Sequence, residues 1–289
     1  MSVRPSRRSR LTGTAVAAML LLAGCGGGSP AAPTTSAGSA DTGATAAAAA
    51  PTTTGDGTGD VTVYLVRHGE TVFNLLGQMS GWSDSPLTPD GEELADTAGQ
   101  ALAGHDFVAA YASDLGRTRQ TAERVLAAQG DDAPELVTMP ELREWSFGGF
   151  EGMPNDDAWG TILAEHGYDW AEVQRDYAGF AEEAGGATAL ATMVAESDPL
   201  GLAQDEAAIT ERMRAGFDRL VAEVAAAGGG EVLVVSHGMA IGSLLALLDP
   251  EGYQPTAMHN LALSVVEVRG GRVEVVSAGE TDYLGAADA

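Results

Sequence analysis

Apolar runs alternate with stretches of helical periodicity along most of the chain. Residues 61–66 read V-T-V-Y-L-V, which is β-branched and typical of a strand buried on both faces of a parallel sheet. Further strands are predicted at residues 107–112, 231–236, 261–268 and 272–276. One helical face, just before residue 231, contains Ile209, Met213, Phe217, Leu220, Val221 and Val224. The pattern predicts a three-layer α/β/α sandwich with a mostly parallel, mixed sheet.

Basic side chains follow three of these predicted strands. Arg67 and His68 end the first strand, His237 follows the strand at 231–236, and Arg117 lies in a predicted helix after a third strand. The carboxyl ends of parallel strands meet at one sheet edge, where open α/β sheets bind ligands. Because guanidinium forks match phosphate oxygens, convergence there predicts a phosphate pocket. Each residue alone could instead be a surface charge or ordinary loop chemistry.

Five sequence motifs follow one another along the chain. They are R-H-G-E-T-V-F-N (67–74), G-Q-M-S-G-W-S-D-S-P-L-T-P-D-G (77–91), S-D-L-G-R-T-R-Q-T-A (113–122), L-R-E-W-S-F-G-G-F-E-G (142–152) and S-H-G (236–238). Over residues 61 to about 276 the chain resembles the histidine phosphatase superfamily, which includes cofactor-dependent phosphoglycerate mutases and many phosphomonoesterases. The resemblance implies a phosphoglycerate mutase-like fold. His237 is followed by Gly238 rather than Asp, which disfavours the acid-phosphatase and phytase branch.

The resemblance also implies roles for individual residues. His68 matches the nucleophile that becomes phosphorylated, and Glu144 matches the proton donor of the branch that acts on smaller substrates. The implied phosphate-binding residues are Arg67, Asn74, Arg117 and His237, and His237 also counts among the catalytic residues.

Elementary chemistry supports these roles. Phosphate monoesters hydrolyse so slowly unaided that a site must neutralise charge and supply a nucleophile. A neutral imidazole attacks through one ring nitrogen while the other keeps its proton against an acceptor such as a backbone carbonyl. A carboxyl group can then protonate the leaving alkoxide. We expect no metal and no cofactor, because His105, His166 and His259 are dispersed and no cluster has metal-ligand spacing.

Several other residues receive structural interpretations. We expect Ser113 or Asp114 to cap the helix that carries Arg117, and Arg119 to lie on a different face of that helix. His105, His166 and His259 are expected in loops or at helix ends, away from the site. Glu70 and Glu151 could pair with site arginines or equally serve turns, and Asn260 could order the site's edge. Trp145, Phe147 and Phe150 are expected in the core or the pocket wall.

The amino terminus predicts export and lipid anchoring. Four arginines precede an apolar segment at residues 11–23, which is too short to span a membrane and typical of a signal peptide. The following L-A-G-C resembles a bacterial lipobox, in which Cys25, the chain's only cysteine, would be diacylated. An ordinary secretory peptide is the alternative. We therefore predict a signal peptide at 1–24, a disordered Gly/Ala/Ser/Thr/Pro tether at 25–60, and a catalytic domain at 61–289 with a helical cap at about 153–204.

The charge balance bears on partners and location. The chain has 41 acidic and 15 basic residues, all of the latter arginine, and removal of residues 1–24 would leave 11 of them. Such a negative field opposes nucleic-acid binding. We expect a phosphorylated small-molecule substrate, a membrane partner through the lipid on Cys25, and a location on the extracytoplasmic face of a bacterial cell membrane.

Three functions are compatible with these expectations. The leading hypothesis is a membrane-anchored phosphomonoesterase that acts through a phosphohistidine. The second is a phosphotransferase of the phosphoglycerate mutase type. The third is a catalytically silent protein that binds a phosphorylated ligand, which is disfavoured because each candidate catalytic position holds a competent residue.

Overall fold

A six-stranded sheet forms the centre of the computed structural model, which describes residues 59–185 and 189–288. The strands are β1 (Val61–Arg67), β2 (Phe107–Ala112), β3 (Leu136–Thr138), β4 (Gly230–Ser236), β5 (Leu263–Arg269) and β6 (Arg272–Glu280), in the order β3-β2-β4-β1-β5-β6. The pairs β1–β4, β2–β4 and β2–β3 are parallel, whereas β5 pairs antiparallel with β1 and with β6. The prediction of a mostly parallel, mixed sheet is confirmed. The predicted signal peptide and nearly all of the predicted tether, including Cys25, lie outside the described residues.

Helices cover both faces of the sheet. They are α1 (Val72–Leu75), α2 (Pro89–Leu102), α3 (Gly116–Ala127), α4 (Asn155–Glu165), α5 (Trp170–Arg175), α6 (Tyr177–Ala184), α7 (Ala189–Ser197), α8 (Glu206–Ala226) and α9 (Gly238–Leu248). Alternate residues of β4 enter two separate cores: Val232 and Val234 pack with α8 and α9, and Leu233 and Val235 pack with α2 and α3. Since side chains alternate across a strand, the sheet is buried on both faces and the fold is a three-layer α/β/α sandwich.

The long helix α8 follows the predicted periodicity. Its buried positions include Ile209, Met213, Phe217, Leu220 and Val224, and only Val221 of the predicted set is partly exposed. The carboxylate of Asp205 caps the helix by accepting a hydrogen bond from the backbone N–H of Ala208 at 2.8 Å. The helix thereby presents one apolar stripe to the sheet.

The last two strands differ from their predicted bounds. β5 begins at Leu263 rather than residue 261, because Leu261 has φ 59° and belongs to a turn in which Ala262 N–H donates to the carbonyl of His259 at 2.9 Å. This turn returns the chain to the carboxyl end of β1, where Leu261 N–H donates to the carbonyl of Arg67. β6 runs to Glu280 rather than residue 276.

The segment predicted as a cap contains the four helices α4 to α7. Trp159, Ile162 and Leu163 of α4 and Val194 of α7 continue the core on the α8 and α9 side of the sheet. Within the two described ranges, no helix combines the length and the apolar character that a membrane crossing requires.

Candidate active site

The carboxyl edge of the sheet brings the predicted site residues together. His68 follows β1 and His237 follows β4, and their ring centroids lie 5.2 Å apart. A cavity of about 240 Å³ opens in front of them and is lined at this end by Arg67, His68, Asn74 and Glu144. Arg117 and His237 are fully buried directly behind it. The topology explains this convergence, since β1 and β4 are adjacent and parallel.

His68 is held in the tautomer that a nucleophile needs. Its Nδ1 lies 2.7 Å from the carbonyl oxygen of Gly69, and a carbonyl only accepts, so Nδ1 carries the proton. The lone pair is then on Nε2. Burial, together with the positive charges of Arg117 and Arg67, holds the pKa of His68 well below its usual value. The imidazole is therefore neutral at physiological pH.

His237 has a fixed tautomer for a different reason. Nε of Arg117 donates to its Nδ1 at 3.2 Å, and an arginine cannot accept, so the proton of His237 is on Nε2. Nε2 in turn lies 2.8 Å from Oγ of Ser113. Burial and the charge of Arg117 also lower the pKa of His237. Both ring nitrogens are thus engaged by the protein.

The guanidinium of Arg117 is fully engaged in this structure. Besides His237, its terminal nitrogens donate to the backbone carbonyls of Ser80, Gly81 and Ser83 and to the carboxylate of Asp84. These contacts use all five N–H groups. A direct contact between Arg117 and phosphate stays a prediction, and it requires that some of these hydrogen bonds be exchanged.

Asp84 is a site residue that sequence reasoning missed. One carboxylate oxygen accepts from Arg117 at 2.9 Å, and the other accepts from the backbone N–H of Gly116 at the start of α3. The expected cap by Ser113 or Asp114 was wrong, because the residue before the helix is Leu115 and has no side-chain cap. Ser113 bonds to His237 instead, and Asp114 pairs with Arg143. The only sequence signal for Asp84 was its place in the second motif.

The side chain of Glu144 lies at the amino terminus of α9 and binds its backbone N–H groups. Its Oε1 accepts from the backbone N–H groups of Trp145 at 2.9 Å and Ala240 at 2.8 Å, whereas Oε2 accepts only the longer bond from Met239 at 3.1 Å. Burial raises the pKa of Glu144, and the bonds from Trp145 and Met239 and the charge of Arg117 oppose this. Oε2 is therefore the oxygen better placed to carry a transferable proton.

Arg212 of α8 fixes the backbone around Glu144. It donates to the carbonyls of Glu141 at 2.8 Å, Arg143 at 2.7 Å and Glu144 at 3.0 Å, and also to the side-chain oxygen of Gln204 at 3.0 Å. Burial lowers its pKa, while the charge of Glu144 raises it. Sequence reasoning missed this residue, because nothing in the helical pattern marks one arginine of α8 from another.

Two amides order the rim beside His68. Asn260 donates to the carbonyl of His68 at 3.0 Å and to Oδ1 of Asn74 at 3.2 Å. Oδ1 of Asn74 also accepts from the backbone N–H of Thr71, so its NH₂ group remains as a donor for a ligand. Arg67 donates to the carbonyl of Met258, and its buried Nε has no protein partner. The edge-ordering role considered for Asn260 is what the structure shows.

The remaining candidates are distributed as follows. His259 lines the cavity, so the expectation that it lies away from the site was wrong, whereas His105 and His166 do lie elsewhere.

Glu70 and Glu151 serve turns. Glu70 accepts a hydrogen bond from the hydroxyl of Thr88. Glu151 accepts from the backbone N–H groups of Gly81, Trp82, Ser83 and Phe147. Arg119 is exposed, opposite the buried Arg117. In the part of the chain that the structure describes, no group of three or more His, Cys, Asp or Glu could hold a metal ion.

Other lining residues of the cavity are apolar. They include Phe147, Trp159, Trp170, Met239 and Met258. Phe147 thus belongs to the pocket wall, and Trp145 and Phe150 belong to the core, as expected. The prediction left the wall residues on α4 and α5 unidentified, because the irregular sequence there indicated no pocket shape.

Comparison with known proteins shows which family the chain belongs to. A family model for the histidine phosphatase superfamily (branch 1) matches residues 63–281. The chain belongs to this superfamily. It is 34% identical over 231 residues to the "Probable phosphoglycerate mutase GpmB" of Yersinia enterocolitica, a match that covers 77% of this chain and 94% of the relative.

Solved structures show that the fold matches other proteins along nearly their whole length. A phosphoglycerate mutase from Bacillus anthracis superposes with a TM-score of 0.73 at 31% identity, covering 81% of this chain and 99% of that one. YhfR from Bacillus stearothermophilus superposes with a TM-score of 0.60 at 26% identity, covering 78% and 99%. The phosphoglycerate mutase-like fold expected from the motifs is confirmed.

Proposed function

We propose that this protein is a metal-independent phosphomonoesterase whose nucleophile is Nε2 of His68. The observation that carries the proposal is the contact between Nδ1 of His68 and the carbonyl of Gly69, which leaves Nε2 unprotonated at the cavity beside Arg67. A neutral imidazole with a directed lone pair is the arrangement that nucleophilic attack on phosphorus needs. Membership of the superfamily supports the same chemistry.

The first half-reaction transfers the phosphoryl group to the enzyme. Nε2 of His68 attacks phosphorus, the N–P bond forms, and the ester P–O bond breaks. The leaving alkoxide takes a proton from Glu144, whose Oε2 makes the weaker of the carboxyl group's contacts. Arg67 and the NH₂ group of Asn74 face the phosphoryl oxygens and offset their charge.

The second half-reaction regenerates the enzyme. The carboxylate of Glu144 accepts a proton from water, the water oxygen attacks phosphorus, and the N–P bond breaks to release inorganic phosphate. The electron pair returns to Nε2 of His68. Donation and acceptance by one carboxyl group in successive steps is ordinary general acid–base catalysis, and each step is typically worth about 10² to 10⁴-fold.

A mutase is the second candidate, because the GpmB relative and the Bacillus anthracis structure carry that name. A mutase must retain a bisphosphorylated intermediate, which calls for further cations that hold a second phosphate and a carboxylate. Arg67 is the only arginine among the described residues that line the cavity, and Arg175 is the only arginine in residues 153–204. This shortage of cations favours hydrolysis.

One comparison tests hydrolysis against mutase activity. The purified protein is assayed for release of inorganic phosphate from several monoesters, and for interconversion of 3- and 2-phosphoglycerate primed with 2,3-bisphosphoglycerate. We expect phosphate release to dominate. Efficient interconversion with negligible phosphate release would sink the proposal.

We also propose that the enzyme works outside the cytoplasm while anchored to the membrane through a diacylated Cys25. The support is the basic and then apolar amino terminus, which ends in L-A-G-C at the chain's only cysteine. Glycolytic intermediates are cytosolic, so this location also favours hydrolysis over mutase activity. Two acyl chains suffice for stable anchoring.

A further inference from the structure

The cavity has an aromatic wall built from three separate elements. The rings of Trp159 in α4 and Trp170 in α5 stack at 6.1 Å between centroids with 26° between planes. Phe147, from the loop after β3, meets Trp159 edge-on at 6.0 Å and 85°. All three side chains line the cavity that ends at His68. A leaving group attached to a phosphate at His68 would therefore meet aromatic surface.

This wall carries little charge. Away from the phosphate end, the lining residues of the described chain include the neutral amides of Gln78, Asn155 and Gln174, and, apart from His259, the only ionisable side chain is that of Asp156. Oδ1 of Asp156 accepts a hydrogen bond from Nε1 of Trp170 at 2.9 Å, which holds the carboxylate at the wall. A second anionic group on the substrate would face this carboxylate without an arginine to balance it. Such juxtaposition is how a site rejects a competing ligand.

The cavity is large enough for an aromatic leaving group. A cavity of roughly 150 Å³ holds benzene, and this one measures about 240 Å³. One ring and a phosphoryl group therefore fit within it.

Resting on the proposed phosphomonoesterase activity, we propose that the enzyme selects monoesters of uncharged alcohols about one ring in size, which stack on Trp170 and Trp159. Esters that carry a second anionic group are poor substrates. The aromatic wall supplies the attraction, and Asp156 supplies the discrimination against anions.

The test compares leaving groups of similar basicity. We measure kcat/KM for benzyl phosphate, ethyl phosphate, 3-phosphoglycerate and phosphocholine. We expect benzyl phosphate to exceed ethyl phosphate by about tenfold or more, since contact between aromatic rings adds to the gain from burying the ring. 3-Phosphoglycerate should be the poorest of the four. A ratio of benzyl to ethyl near one, or a preference for 3-phosphoglycerate or phosphocholine, overturns the inference.

Variants locate the preference in the wall. Trp170→Ala should bring the benzyl-to-ethyl ratio towards one, and Trp170→Phe should keep most of it. Val276→Ala, which truncates an exposed apolar side chain on β6, is the matched control and should leave the ratio unchanged. If Trp170→Ala unfolds in a thermal melt, Trp170→Phe and the wild-type ranking still decide the question.

A binding measurement separates this inference from the proposed function. Benzylphosphonate and ethylphosphonate cannot be hydrolysed at the P–C bond, and their affinities for the wild type can be measured by calorimetry. Tighter binding of benzylphosphonate without turnover of any ester would refute the phosphatase and support the wall's preference. Turnover of all esters with equal phosphonate affinities would do the reverse.

Discussion

Arg117 donates its Nε–H to Nδ1 of His237 at 3.2 Å, and this contact places a permanent positive charge directly behind the two histidines. Burial lowers the pKa of both imidazoles, and the charge of the fully buried Arg117 further disfavours their protonation. The arrangement gives Arg117 a function that does not depend on direct contact with substrate. Burial is the larger cause of the lowered pKa of His68, and the charge of Arg117 adds to it, so His68 is neutral and therefore nucleophilic at physiological pH.

Replacement of His68 should abolish turnover. His68→Ala removes the imidazole whose unprotonated Nε2 lies at the phosphate end of the cavity, so we expect at least a 10³-fold loss of kcat. Rapid-quench trapping should find acid-labile, base-stable phosphate on the wild type and none on the variant.

The matched control is His105→Ala. His105 precedes β2 and contacts Glu231 at 3.1 Å, far from the carboxyl edge of the sheet, so activity should be retained. Near-normal activity of His68→Ala, in a protein that folds normally, would show that another residue is the nucleophile.

Glu144 should set the alkaline limit of activity on poor leaving groups. The proposed mechanism needs neutral His68 and protonated Glu144. The pKa of His68 lies well below its usual value, and burial raises the pKa of Glu144. Activity on alkyl phosphates should therefore fall as pH rises through the pKa of Glu144, and it should fall on the acid side only as His68 becomes protonated.

Glu144→Gln tests this assignment through leaving-group dependence. The variant should lose about 10² to 10⁴-fold in kcat/KM on alkyl phosphates and much less on p-nitrophenyl phosphate, whose phenolate scarcely needs a proton. Its alkaline limb should disappear. Equal losses on both substrates would assign Glu144 a structural role as the cap of α9.

The sequence predicted the site residues that lie at the ends of strands. Arg67, His68 and His237 could be placed together because a β-branched apolar run precedes each group and parallel strands end at one edge. The location of Glu144 came only from resemblance, since L-R-E-W-S-F-G has no periodicity that indicates its partner at α9.

Long-range loop contacts could not be predicted in the same way. Asp84 and Arg212 act through backbone groups that are distant in sequence, such as Gly116 and Glu141. A helical or strand pattern records only which face of an element is buried, and it carries no information on such contacts. The turn at Leu261 was not predicted for a related reason. An apolar residue next to an apolar run indicates the start of a strand, and the sequence does not show that its φ is positive.

Arg212 should act as a positioning residue for Glu144. Arg212→Met removes the donor to the carbonyls of Glu141 and Arg143 and leaves that of Glu144 with only the bond from Nε1 of Trp82, so we expect about 3 kcal/mol of destabilisation. Catalysis should show the signature of Glu144: kcat falls about tenfold or more on alkyl phosphates and less on p-nitrophenyl phosphate. Chemical denaturation and steady-state kinetics measure the two effects separately.

Two variants control this experiment. Arg214→Met, on the same helix but exposed and paired with Asp218, should change neither kinetics nor stability by much. Arg212→Lys should recover part of the stability, although a single ammonium cannot reach all three carbonyls. A stability loss with equal effects on both substrates would show that Arg212 supports the fold without orienting the acid.

The lipid anchor is tested by Cys25→Ser. The wild type, expressed in a bacterium with lipoprotein processing, should fractionate with membranes and incorporate labelled fatty acid, because two acyl chains give stable anchoring where one is marginal. The variant has no thiol to receive the diacylglycerol, since Cys25 is the chain's only cysteine, and it should move to the soluble fraction or the medium. Its kcat/KM on phosphate esters should equal that of the wild type. A wild-type protein that is wholly soluble, with an amino terminus other than Cys25, would contradict anchoring while leaving the phosphatase proposal intact, because the groups at His68 and Glu144 do not depend on where the chain is held.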